Sequence, residues 1–243
     1  GADLRNAELP GTVLAGATGG IHDVNGLLLD GDANATAGGN YVRTFTIASD
    51  TALPTLSSAA YSSSSNTVQL VFSEDVTLAN PSNLMVMDVL TNTPITPAGI
   101  TVSGDTITVS LPGLGDGLFS LGLPAASVHD LANNALGSSV SYAFLQVVDG
   151  HTLVLPATGM NYVIQSLDLG AGATLDIKND AISYTGAALG TWNGSVYTGI
   201  MGLSQSGRNG GAWNGSGIIS SSISGDLTAI GVAQASQVLG ISG

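Results

Sequence analysis

Fifteen of the seventeen acidic residues in this chain are aspartate, and only Glu8 and Glu74 are glutamate. Exposed helix surfaces draw on Glu and Lys, whereas Asp competes for nearby backbone hydrogen bonds and belongs in turns and caps. A chain that places nearly all its negative charge on Asp is therefore expected to consist of strands and turns. The 34 glycines supply the positive φ angles that tight turns require, and Val, Ile and Thr supply the β-formers. At 243 residues, 44% of them hydrophobic, the chain can fill one large or two modest cores. Only 9% is charged, against roughly 25% in an average soluble domain, which argues against disorder.

The net charge is −13, and the four bases are Arg5, Arg43, Lys178 and Arg208. They are dispersed, so they form no patch that could displace counterions from phosphates; nucleic acid is excluded as a partner. An anionic membrane surface is disfavoured on the same ground. No apolar run reaches the ~18 residues of a membrane helix, so insertion is not expected. Cysteine is absent, so burial and hydrogen bonds must hold the fold. The chain starts at Gly1 with no visible signal sequence, and a removed leader is expected. Low charge, few Lys and no Cys fit an exported protein at a bacterial cell surface.

Thr67 to Phe72 and Leu84 to Leu90 read as strands, the latter with partial alternation. Ile100 to Ser103 and Thr106 to Leu111 flank Gly104-Asp105, a hairpin signal. Leu118 to Leu123 and Ser141 to Val148 complete a set expected to form a sandwich over residues 52–148. Beyond Asp149 the strands become shorter and closer: His151 to Leu155, Tyr162 to Leu169 and Ala173 to Ile177. Their alternation suits either a small sandwich or a short solenoid over 149–243. One helix is expected from Asp226, a plausible N-cap, to Leu239, with Gly240 as its stop.

Two internal repeats stand out. Ile21-His22-Asp23-Val24 returns as Val128-His129-Asp130-Leu131, 107 residues later, each copy leading to an aromatic-bearing strand. Residues 1–51 are therefore expected to be the closing part of a second module and its linker, with about fifty residues of that module lying upstream. Unpaired strands of this kind favour pairing with another molecule. The assembly candidates are Tyr41, Val42, Phe45 and Ile47. The second repeat, Thr191-Trp192-Asn193-Gly194-Ser195 and Ala212-Trp213-Asn214-Gly215-Ser216, has an offset of 21 and reads as two Asn-Gly hairpin turns.

Pro54, the run Val68 to Phe72 into Ser73-Glu74-Asp75-Val76, and Val128 to Asn134 resemble the bacterial immunoglobulin-like modules of S-layer and other repetitive surface proteins. Asn133 stands where that family usually has Gly. The stretches Gly172 to Ile177 and Gly207 to Gly211 are similar to terminal regions of such proteins. The resemblance implies an all-β fold: an immunoglobulin-like β-sandwich, a second β-rich domain after it, and a partial immunoglobulin-like segment before it. It implies spacer, coat or adhesion roles and no catalysis.

Asp30, Asp32 and Asn34 alternate oxygen side chains with small residues, a pattern that can wrap Ca²⁺; the alternative is a polar loop. Asp23 and Asp130 are expected to cap backbone N–H groups in Asx-turns rather than bind metal. Glu74-Asp75 follows a strand, where neighbours face opposite ways, so a turn or a shared ion site is expected rather than a catalytic dyad. His22, His129 and His151 lack the companions of a zinc site. Ser206 to Gly211 reads as a long hairpin tip. Trp192 and Trp213 are carbohydrate-stacking candidates, set against a role in the small core. Three functions follow: a structural subunit assembling with copies of itself, an adhesion module binding glycans, or a non-catalytic piece of a larger secreted hydrolase.

Overall fold

The computed structural model describes Thr36 and residues 49–186, 188–223 and 228–234. Residues from Asp50 onward form one compact unit. Its described residues are all-β with one α-helix. The first half holds β1 (Leu56–Ser62), β2 (Thr67–Phe72), β3 (Val76–Leu78), β4 (Met85–Asp88), β5 (Thr93–Ile95), β6 (Gly99–Ser103), β7 (Thr106–Ser110), β8 (Gly117–Leu123), β9 (Val128–Asp130) and β10 (Val140–Val147). The second half holds β11 (Thr152–Val154), β12 (Asn161–Ile164), β13 (Ser166–Leu169), β14 (Thr174–Asp176), β15 (Ala181–Tyr184), α1 (Gly199–Arg208) and β16 (Gly217–Ile219). No helix among the described residues is long and apolar enough to cross a membrane.

The first half consists of two main sheets, with strand orders β1-β2-β7-β6 and β13-β10-β8-β4-β5. Apart from β13 every neighbour is antiparallel. Alternation decides the burial. Val68, Leu70 and Phe72 of β2 and Ile107 and Val109 of β7 point inward, against Val86, Phe119, Leu121, Tyr142 and Phe144 from the other sheet. Each such side chain contributes about 1.5–3 kcal/mol when fully buried. The β6–β7 hairpin turns at Gly104, whose φ of +59° favours glycine.

Strand β10 has no solvent face along its second half. Tyr142 and Phe144 enter the first core, while Leu145 and Val147 on the opposite side enter a second core with Leu118, Leu155, Ile164 and Leu175. Gln146 is buried and satisfied: its Nε2 donates to the Leu114 carbonyl at 3.0 Å, and its Oε1 accepts from the Tyr61 hydroxyl. Burial, aided by the charge of Asp168, pushes the Tyr61 pKa up to about 12, so the hydroxyl stays a donor at neutral pH. At the exit of β10, Asp116 accepts from the Val148 N–H at 2.7 Å and meets His151 Nδ1 at 2.9 Å.

Past β10 the pairing becomes parallel. Phe144 pairs with Ser166 and Thr152 with Thr174, both 22 residues on, and Asn161 pairs with Ala181, 20 residues on. These are the ladders of a stack of turns, so the solenoid alternative describes this half. Its corners are fixed by Asp carboxylates. Asp149 Oδ1 accepts from the Ala171 N–H one turn later at 2.8 Å. A Cβ on Gly170 would lie 2.3 Å from that oxygen, so only glycine fits there. Asp180 is buried and accepts from the N–H groups of Ala157, Thr158 and Met160 at 2.9–3.0 Å. Burial pushes its pKa up, but these hydrogen bonds outweigh that and hold it below the usual carboxylate range. Asp176, also buried, behaves alike: burial raises its pKa, and Ser221 and Lys178 bring it down.

The next step is longer. Thr174 pairs with Gly217, 43 residues on and about two periods. One turn's worth of chain has left the stack as a hairpin, in which Trp192 bridges Tyr197, and as α1.

The helix corrects the expectation from sequence. Residues 228–234, the described part of the expected helix from Asp226 to Leu239, contain no helix, and the rest of that segment lies outside the described residues. The segment Ser206 to Gly211, expected as a hairpin tip, is the end of α1 followed by a 3₁₀ turn, with Asn209 left-handed at φ +40°. Asn214-Gly215 makes no hairpin either; it leads into β16, and Gly215 N–H donates to the Gly207 carbonyl.

Candidate functional site

The candidate site with the densest charge lies at one end of the antiparallel half. β3 pairs with β9 so that Val76 faces Asp130, which brings the preceding Glu74 beside the Asp130 carboxyl. Asn134 holds the third acid: its Nδ2 donates to Asp130 Oδ2 at 2.7 Å and to the Asp50 carbonyl at 3.2 Å. Carboxylate oxygens of Asp50, Glu74 and Asp130 lie within 4.8 Å of one another.

The three acids are unlike. Burial pushes the Asp130 pKa up, but bonds from Asn134 Nδ2 and N–H outweigh it and keep the group well ionised. The expected Asx-type cap at Asp130 is thus present. Glu74 is raised, first by burial and then by the charges of Asp130 and Asp50. Three carboxylates with no sulfur or imidazole could hold a hard divalent cation of the calcium type rather than zinc. Sequence reasoning raised a shared ion role for Glu74 and weighed metal at Asp130, but it did not bring in Asp50. The only cue was its position just outside the sandwich.

The aromatic candidates separate. Trp192 is 53% exposed and Tyr197 39% exposed, with ring centroids 5.2 Å apart. Trp213 is half-buried at φ +52° beyond α1, so the two tryptophans serve different local structures. The calcium candidates Asp30, Asp32 and Asn34, the assembly candidates Tyr41, Val42, Phe45 and Ile47, and His22 and Asp23 lie outside the described residues. His129 lies on β9 and His151 meets Asp116, well apart in role from a shared metal site.

No family model matches the chain, and no curated protein matches it. Among solved structures, the N-terminal part of the bacterial S-layer protein SbsC is 20% identical over 39% of this chain and 23% of its own, with a TM-score of 0.32. A longer SbsC structure is 21% identical over 39% of this chain and 14% of its own, with a TM-score of 0.33. The chain spans less than a quarter of the length of the structures it matches.

Proposed function

We propose that this chain is a rigid structural module of an extracellular surface assembly, its antiparallel half immunoglobulin-like. The observation that carries the reading is β10. Its alternate side chains fill the two cores, Phe144 one and Leu145 the other. The antiparallel and parallel halves therefore meet through one continuous strand, without a linker. Such a join transmits force and fixes the angle between the halves, which serves a spacer or coat subunit.

In this reading copies of the chain associate with one another, and the segment Tyr41 to Ile47, expected from its sequence to be extended, pairs with a second copy through Tyr41, Val42, Phe45 and Ile47. Light scattering on the purified chain across a concentration series tests this. Growth to large species is expected for the full chain, and loss of that growth on deleting residues 1–48, with the β-sheet circular dichroism retained. A dispersed monomer at every concentration would remove the proposal.

A further inference from the structure

Parallel stacks place recognition on the chain that leaves them, because the turns themselves are fixed by pairing on both sides. Here one period has left the stack between β14 and β16, and it carries the most exposed tryptophan of the described residues at the tip of a hairpin. The hairpin is well ordered by its own bonds. Thr198 N–H donates to the Thr191 carbonyl at 2.9 Å, and Asn193 N–H to the Val196 carbonyl at 3.1 Å. Asn193 Oδ1 accepts from Ser195 N–H at 3.0 Å and Val196 N–H at 2.9 Å. Gln205, from α1, accepts from Tyr197 N–H at 3.0 Å, which ties the tip to the helix.

Two consequences follow. The aromatic pair is held in place, Tyr197 bracing Trp192 at 59° between ring planes. The carboxamides are also oriented: backbone N–H groups can only donate, so the oxygens of Asn193 and Gln205 face the hairpin. Their Nδ2 and Nε2 groups are left without a partner among the described residues, on exposed side chains. An exposed indole thus stands on a hairpin where Asn193, and Gln205 from the adjoining α1, present free amide donors.

We infer that this hairpin is a binding site for a neutral sugar, stacked on Trp192 with its hydroxyls accepting from Asn193 Nδ2 and Gln205 Nε2. A pyranose ring presents C–H groups of slight positive charge on one face, which complement the negative face of an indole. Its hydroxyls suit amide donors. The hairpin from Thr191 to Thr198 carries no charge, and the nearest cation in sequence, Arg208, sits in the last turn of α1, so the hairpin itself matches a neutral ligand. A second protein fits the site less well. Two partly exposed rings and Val196 offer well under the ~800 Å² per partner of a stable protein interface. The assembly role proposed above does not depend on this site.

The test is titration of the full chain with cellohexaose, chitohexaose and mannohexaose, followed by calorimetry and tryptophan emission. Binding of at least one, with a change in emission, is expected. Trp192→Ala should weaken it about tenfold, in line with the loss of one aromatic stacking contact. Gln205→Glu keeps the acceptor for Tyr197 N–H and removes the donor, so it should weaken binding several-fold while the hairpin stays intact. Trp213→Phe should leave binding in place. The inference fails if none of the three sugars binds at millimolar concentration, or if Trp192→Ala and Gln205→Glu both bind like the parent. It also fails if the Trp192-dependent emission change tracks protein concentration alone, which would mark a contact between copies.

Discussion

The two halves of the compact unit solve the same problem with different parts. In the antiparallel half, apolar side chains far apart in sequence meet across two sheets: Val68, Ile107, Phe119 and Phe144 share one core. In the parallel half, partners recur about 22 residues on, and buried aspartates close the corners. The first half is held chiefly by volume and shape. The second adds directed hydrogen bonds, because each turn must leave its strand at a defined corner before it can stack. Strand β10 belongs to both, so the halves are expected to respond together when it is damaged and separately when they are damaged elsewhere.

The largest effect should come from Phe144→Ala. The ring is fully buried and stacks on Tyr61 at 4.1 Å between centroids. Its removal should destabilise by about 3–5 kcal/mol, a fall in Tm on the order of 10 °C for a unit of this size. Both tryptophans lie in the parallel half, so their emission reports on that half alone. The emission and circular-dichroism midpoints should fall together. An emission midpoint left at its parent value would mean that the halves unfold independently and that the shared strand does not couple them.

Gly207→Ala comes next and should act against helix propensity, which favours Ala by about 1 kcal/mol. A Cβ there would lie 2.0 Å from the Ile218 carbonyl oxygen, so α1 would have to lift from β16. A net loss of about 1–3 kcal/mol is expected from such overpacking, measured by urea denaturation. A gain would show that the helix is not seated on the stack.

The smallest effects are read by pH, because Asp180 in the parallel half and Glu74 in the antiparallel half are shifted in opposite directions. Asp180 is lowered, so its stabilisation is present at neutral pH and is lost as pH falls through its depressed pKa. Asp180→Asn should therefore destabilise at pH 7, by about 1 kcal/mol, with the gap to the parent closing in strong acid. Glu74 is raised, so its ionisation favours the unfolded chain above the ordinary Glu value. Glu74→Gln should raise Tm slightly at pH 7 and make no difference in acid. Matching pH dependences for the two variants would refute the assignment of opposite shifts.

Much of the antiparallel half was legible because its signals are local. Gly104-Asp105 between two alternating runs marks a hairpin, and the structure has one there. The choice between sandwich and solenoid after Asp149 stayed open because strand alternation has the same period in both; only the pairing partner differs. The helix was placed wrongly for a physical reason. Capping signals at Asp226 and Gly240 are local preferences, whereas α1 contains Gly202 and Gly207, which weaken a helix in isolation. Those glycines let α1 approach its neighbours: a Cβ on Gly202 would lie 2.3 Å from the Tyr197 carbonyl oxygen. The acidic site was half legible, because Glu74 and Asp130 carry motif signals while Asp50 is brought in through Asn134. Trp192 was visible as an aromatic beside a turn, but its separation from Trp213 depends on the long step between β14 and β16.

That repeat of about 22 residues turns sequence length into height. Each further turn would raise the stack by ~4.8 Å, the spacing between paired strands, without altering any residue of β10. A duplication in whole periods would lengthen the molecule in fixed increments, and a change inside the excluded period would alter what it meets without altering its reach.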